Sequence, residues 1–261
     1  MTVETIPGRV THIRIDDLRT RNALGLNTVR ELTRSMRKYG HAETTRAVVI
    51  SGTHGTFSSG GNIKEDVAAE DIVAAVSDLF DAIKHCPAPV LARVEGACLG
   101  LAVGLIAACD LVIAAEDARF ALPEPRMGQV ATLAAVTVVP RLRVADANRL
   151  LLTAVEFDTA EAVELGLVNA GVPGERLAVE QQHWVDLLTA NGPTALAITK
   201  RLIRDIPTMT TKHAMEMAGY LTIEIARSTE AREGRQASSE HRAPVWTGPT
   251  YKTTDPRDND D

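Results

Sequence analysis

Four short apolar runs, RVTHIRI near residues 9–15, RAVVIS near 46–51, PVLARV near 89–94 and DLVIAA near 110–115, alternate with segments of helical periodicity at 26–39, 69–85 and 100–108. Successive strands separated by helices must cross over, and such crossovers are right-handed. The rhythm therefore predicts an α/β fold, a mainly parallel sheet with helices packed on it. After about residue 140 it lapses, and helices are expected instead in RVADANRLLLTA, TAEAVELG, residues 175–190, PTALAITKRLIRDI and a stretch from about 208 to 237. Gly166 behind one helix and Pro193 at the head of another are matching stop and start signals. The chain thus divides into a core over residues 1–195, a helical subdomain over 196–248 and a polar tail over 249–261, expected to be disordered.

A chain of 261 residues buries roughly three quarters of its unfolded surface, enough for one large core. A net charge of −6 without a dense basic cluster argues against nucleic acid as a partner. MTVETIPGRV lacks the basic and apolar regions of a signal peptide, and GACLGLAVGLIAAC at 96–109 is too short to span a bilayer. No membrane is expected as a partner. Gly96, Gly100 and Gly104 in that run predict a buried helix packed closely on the sheet. Cys86, Cys98 and Cys109 read as small buried apolar residues of a cytosolic protein, and the seven scattered histidines offer no metal-ligand spacing.

Two glycine-bearing loops stand out. FSSGGN (57–62) follows the second run and VEGACLGLA (94–102) the third, which puts both at carboxyl ends of neighbouring strands, where open α/β folds bind ligands. Gly100 and Leu101 stand where loop becomes helix, so free N–H groups and the positive end of a helix dipole face the crevice. One N–H from each loop would suit a developing oxyanion.

FSSGGNIKE, VEGACLGLAVGLIAACDLVIAAEDARFALPEPRMG and TAEAVELGLVNAGV resemble, in order, the signatures of the crotonase (enoyl-CoA hydratase/isomerase) superfamily. Weaker likenesses are RNALGLNTVREL at 21–32 and STEAREGRQASSEHRAPVW at 228–246. The resemblance implies a spiral ββα core, a helical C-terminal trimerisation subdomain, a homotrimer or dimer of trimers, and acyl-CoA thioester substrates without a separate cofactor. It assigns the oxyanion donors to the N–H groups of Gly61 and Leu101. It implies contacts with the CoA moiety from Arg21, Ala23, Ser59, Gly61, Asn62, Ile63 and Gly100. Lys64 could meet a CoA phosphate, though a solvated lysine is the simpler reading.

Hydratases of the family carry two glutamates, so that one activates water while the other supplies the proton. Here the first position is Gly104 and the second is Glu124, in FALPEPRMG. A single glutamate suits proton shuttling between carbons, as in enoyl-CoA isomerases, with burial near Phe120, Leu122 and Met127 raising its pKa. A glutamate exposed between its two prolines is the plainer alternative. GQVATLAAVTVVPRL lacks the glycine-rich loop of most relatives, which reshapes the acyl pocket. A lyase, a decarboxylase, a divergent hydratase or a non-catalytic acyl-CoA-binding protein would fit the same motifs. Glu95 and Asp110 read as loop-end and strand-entry residues, and no G-x-S-x-G elbow surrounds Ser58 or Ser59.

Overall fold

The computed structural model describes residues 3–246. Its elements, in chain order, are β1 (Val3–Ile6), β2 (Val10–Ile15), α1 (Leu26–Ser35), β3 (Ala47–Gly52), α2 (Ala69–Lys84), β4 (Val90–Val94), β5 (Ala97–Leu99), α3 (Leu101–Ala108), β6 (Leu111–Ala115) and β7 (Arg119–Ala121). There follow α4 (Thr132–Val138), α5 (Val144–Thr153), β8 (Phe157–Asp158), α6 (Thr159–Glu164), β9 (Ala170–Val172), α7 (Leu177–Thr189), α8 (Pro193–Asp205), α9 (Thr211–Ala226) and α10 (Thr229–Ser239).

The main sheet runs β1-β2-β3-β4-β6-β9, antiparallel at the β1 edge and parallel elsewhere. Side chains alternate across it with the period of two that an extended chain imposes. Ile13, Ile15, Val48, Ile50, Val90, Ala92, Val112 and Ala114 join the large core. Val49, Leu91, Ile113 and Ala115 point the other way, into a smaller cluster with Leu177 and Val185 of α7. Helix α1 buries Leu26, Val29 and Leu32, and α2 buries Val76, Leu79 and Ile83, each at the three-to-four-residue spacing of one helical face. Residues 102–107 of α3 are buried without a break.

A second sheet, β5-β7-β8, is what the alternation of long strands does not foretell. Strand β4 passes into β5 through Gly96, and β6 into β7 after Ala115, so these two strands of the main sheet are each extended by a short one in the second. A helix follows each pair, which is the expected ββα repeat.

Strands also persist after residue 140, contrary to expectation, as β8 and β9. Two and three residues are too few to show a period of two. The stretch from 208 to 237 is two helices, broken at Arg227 and Ser228, where the Ser228 hydroxyl accepts from Ala231 N–H at 3.0 Å and starts α10. Helix α8 begins at Pro193, so a boundary at 195/196 falls inside its first turn. The tail over 249–261 lies outside the described residues.

Polar contacts of α8 tie the helical region to the core. Lys200 of α8 donates to Asp110 Oδ2 at 2.6 Å and to Ile83 O at 3.0 Å, and the same Asp110 oxygen accepts from Val90 N–H at 2.7 Å. Asp110 is therefore the strand-entry residue the sequence suggested. Lys200→Met is expected to destabilise the fold by about 2 kcal/mol, between the cost of an exposed and of a buried ion pair. Denaturant unfolding measures this, and a change under roughly 0.5 kcal/mol, the level of an exposed pair, would show that α8 docks without it.

Candidate active site

The two glycine-bearing loops and the glutamate loop meet because their backbones are paired side by side. Ser58 forms a parallel bridge with Cys98 of β5, donating to Ala97 O at 3.0 Å and accepting from Leu99 N–H at 3.1 Å. On its other side β5 pairs with β7, Leu99 opposite Ala121, and the register continues as Gly100 N–H donates to Ala121 O at 2.8 Å. Leu24 bridges Gly61 in parallel beyond the first loop. Four chain segments, ending near residues 24, 61, 100 and 122, thus emerge in the same direction onto one floor.

The two expected oxyanion donors stand at adjoining ends of this floor. Gly60 lies so close to the second loop that a Cβ on it would sit 2.7 Å from Leu99 O and 3.7 Å from Gly100 Cα. The next residues in each segment are Gly61 and Leu101. Leu24 N–H donates to Gly60 O at 2.7 Å and Asn62 N–H to Leu24 O at 3.4 Å, so in this parallel bridge Gly61's own N–H turns away from Leu24. Leu101 is the first residue of α3, whose first-turn N–H groups have no partner within the helix and carry the positive end of its dipole. Neither N–H meets an acceptor among the described residues. The chain enters α3 through Gly100 at φ +53°, ψ −121°, a conformation closed to side-chain-bearing residues.

Glu124 opens a short 3-10 turn, Glu124–Met127, directly after Leu122 and Pro123 leave β7. Phe120 stacks on Phe157 with ring centroids 5.5 Å apart, and it and Leu122 are fully buried, which fixes the root of the loop. The carboxylate lies against the start of α3, where a Cβ on Gly100 would stand 2.5 Å from Glu124 Oε1. Its Oε2 is buried and meets no hydrogen-bond donor among the described residues. Burial pushes the pKa above the ordinary glutamate value, with a smaller opposing pull from its own backbone amide. The side chain is half-buried rather than exposed between its prolines; Phe120 and Leu122, just before it in the chain, are fully buried, whereas Met127 is exposed.

Gly104 has a different neighbour from the one expected. Helix α3 is buried in one cluster with sheet residues, as expected, but of the three glycines only Gly104 lies within it, and Gly104 faces another helix, α4. A Cβ on Gly104 would lie 2.7 Å from Ala134 Cα, 3.0 Å from Ala134 Cβ and 3.3 Å from Phe80 Cζ, and Thr137 Oγ1 donates to Gly104 O at 2.8 Å. The segment without paired glycines is therefore the helix that fills the space beside residue 104. No second carboxylate fits there without moving α4.

The remaining expected residues border the same floor in unequal ways. Arg21 accepts from Ser59 N–H at 3.0 Å through its carbonyl, and Ser59 Oγ donates to Thr20 O at 2.9 Å. Ala23 is buried, its N–H on Thr20 Oγ1 at 3.2 Å. Asn62 Oδ1 accepts from Lys64 N–H at 3.3 Å, and Ile63 is exposed although apolar. Glu95 pairs with Arg93. The three cysteines are buried and free, and burial pushes all three thiols up, Cys86 to about 11 and Cys109 to about 12, which disfavours the thiolate at neutral pH. Two residues take parts that spacing did not suggest. Buried Asn22, at φ +60°, donates to Thr53 O at 3.0 Å and Thr56 O at 2.8 Å, which steadies the entry to the first loop. Glu65, at the end of the first motif, reaches back to accept from Leu26 N–H at 2.8 Å. Both are side-chain contacts between segments far apart in sequence, and a local pattern carries no signal for them.

The family model described as "Enoyl-CoA hydratase/isomerase" matches residues 5–249. The crystal structure of an enoyl-CoA hydratase from Mycobacterium smegmatis superposes with a TM-score of 0.90 at 27% identity, covering 94% of this chain and 99% of that one. Carnitinyl-CoA dehydratase of Salmonella typhi is 31% identical over 77% of this chain and 81% of its own length. Human mitochondrial Δ(3,5)-Δ(2,4)-dienoyl-CoA isomerase is 28% identical over 77% of this chain and 67% of its own.

Two outcomes are expected from this geometry. A carboxyl whose folded-state pKa is raised stabilises the fold at low pH, and that contribution is lost as pH rises through the folded value. Glu124→Gln should therefore melt higher than the parent at pH 8, with the gap closing as pH falls through the ordinary carboxylate range; thermal melts across pH test this, and an equal gap at all pH would refute it. Gly104→Ala should destabilise by about 1–3 kcal/mol through overpacking against the Ala134 backbone. Denaturant unfolding that detects no loss would mean that α4 yields readily.

Proposed function

The chain belongs to the enoyl-CoA hydratase/isomerase family, and from that premise we propose that it moves the double bond of an enoyl-CoA thioester with Glu124 as its one base. The observation that carries this reading is the position of the Glu124 carboxylate against Gly100, beside the N–H donors of Gly61 and Leu101, while α4 closes off residue 104. The thioester carbonyl accepts from both N–H groups. Glu124 takes a proton from C2 of a 3-enoyl thioester, and the electron pair spreads over a dienolate whose oxygen is held by the two donors. The same carboxyl then returns the proton to C4, and the 2-enoyl product results with no net gain or loss of atoms. Each donor supports the charged intermediate by roughly 2.7–4 kcal/mol. A raised pKa suits a base that must also give its proton back.

Addition of water needs a base for the water as well as an acid for the carbon, and the packing at Gly104 argues against a second carboxylate there. The CoA of the substrate passes along Arg21, Ala23, Ser59, Asn62 and Ile63, and no separate cofactor takes part. The assembly in this reading is a homotrimer or a dimer of trimers. It is supported by α9, which buries only Leu221 while Met215, Tyr220 and Ile223 are exposed.

Matched 2-enoyl- and 3-enoyl-CoA substrates in deuterated water, with products read by mass, test the chemistry. Isomer formation with deuterium at C2 or C4 and no added water is expected. Glu124→Gln should lower the rate by about 10²–10⁴-fold, the usual worth of a positioned acid–base group. Hydration at a rate matching isomerisation, or a Glu124→Gln variant of unchanged rate, would overturn the reading.

A further inference from the structure

Gly61 is exposed, and a Cβ built on it would meet nothing within 4 Å. No packing holds the residue that carries one of the two donors, so its orientation depends on the contacts on either side of it. The bonds of Leu24 with Gly60 and Asn62 straddle it. On the far side the chain turns back, Glu65 N–H donating to Asn62 O at 3.2 Å, and is fastened once more where Glu65 Oε2 accepts from Leu26 N–H at 2.8 Å.

That last contact is a built one. Helix α1 starts after Gly25, which has no side chain to satisfy the first N–H groups of the helix. Glu65 supplies the missing acceptor from 39 residues away, and its negative charge meets the positive end of the α1 dipole. A Cβ on Gly25 would overlap the Glu65 carboxylate. The glycine is thus the seat of the glutamate.

We propose that Glu65 is a positioning residue for the reaction: by capping α1 it closes the loop 60–65 against residues 24–26 and so aims the Gly61 N–H at the thioester oxygen. The inference rests on the oxyanion role of Gly61 proposed above. The Glu65 carboxylate bonds to the Leu26 backbone, and it acts through the backbone it fixes. A donor displaced by about 1 Å can cost on the order of 10²-fold in rate. A glutamine at this position keeps an oxygen that can accept from Leu26 N–H, whereas alanine does not.

The test compares Glu65→Ala, Glu65→Gln and Glu124→Gln in full-length protein, reading kcat and KM for 3-enoyl-CoA isomerisation together with Tm. It also reads affinity for 3-oxobutanoyl-CoA, whose enolate loads the two donors, against affinity for butanoyl-CoA. Glu65→Ala is expected to lower kcat by about tenfold or more with KM little changed, and to lose affinity for the enolate selectively. Glu65→Gln should recover most of both. A lowered Tm with kcat and the affinity ratio intact would make Glu65 a structural cap and overturn the proposal, as would a loss that glutamine does not rescue. Unchanged isomerisation in Glu124→Gln would refute the single-base reading instead. The affinity ratio judges Glu65 even then, because it needs no turnover.

Discussion

The pairing of Ser58 with Ala97 and Leu99 holds the rest of the site in place. It sets the first glycine-bearing loop beside β5, and β5 in turn sets β7 beside itself, so that three chain segments leave a common sheet in one direction. Strands of a parallel sheet present their carboxyl ends together, and here the ends are Gly60, Gly100 and Leu122, each one or two residues short of a chemically useful group. The short second sheet, rather than the long first one, is what makes the donors and the carboxylate neighbours.

Packing around α3 then limits what the neighbours can do. The helix is apolar on all sides and is buried on all sides, and its glycine at 104 lets the Ala134 backbone approach to a distance that admits no side chain. Close approach of helices through small residues gains dispersion contacts, and the same contact removes the room for a second acid. Glu124 is left with one oxygen unpartnered in an apolar setting. Such an orphaned carboxylate destabilises the fold when ionised, which is the cause of its raised pKa.

A repeated device stabilises the periphery. Helices α1 and α8 both start behind a glycine, Gly25 and Gly192, and each receives its cap from a remote glutamate. Glu65 accepts from Leu26 N–H, and Glu230 of α10 accepts from Thr194 and Ala195 N–H at 2.9 Å. In both cases a Cβ on the glycine would overlap the carboxylate. An ordinary N-cap ties a helix to its own first turn, whereas these caps tie it to another part of the chain. One fastens the first glycine-bearing loop, and the other joins the last helices to each other.

What could be read along the chain was whatever depends on neighbours in sequence. The four apolar runs became strands, β3, β4 and β6 because a buried parallel strand needs a continuous apolar stretch and β2 by its alternation, and FSSGG and ACLGL marked the loops because the backbone takes positive φ at Gly60 and Gly100. The resemblance carried by those motifs identified the family, which the match over residues 5–249 bears out. Strands β8 and β9, only two and three residues long, left no periodic trace. The contact of Gly104 with Ala134, the loss of solvent around Glu124 and the grip of Glu65 on Leu26 were decided by the tertiary structure alone. Each depends on groups 30 or 39 residues apart, or on burial by the whole fold, and the distance between such groups is fixed only when the chain closes on its core.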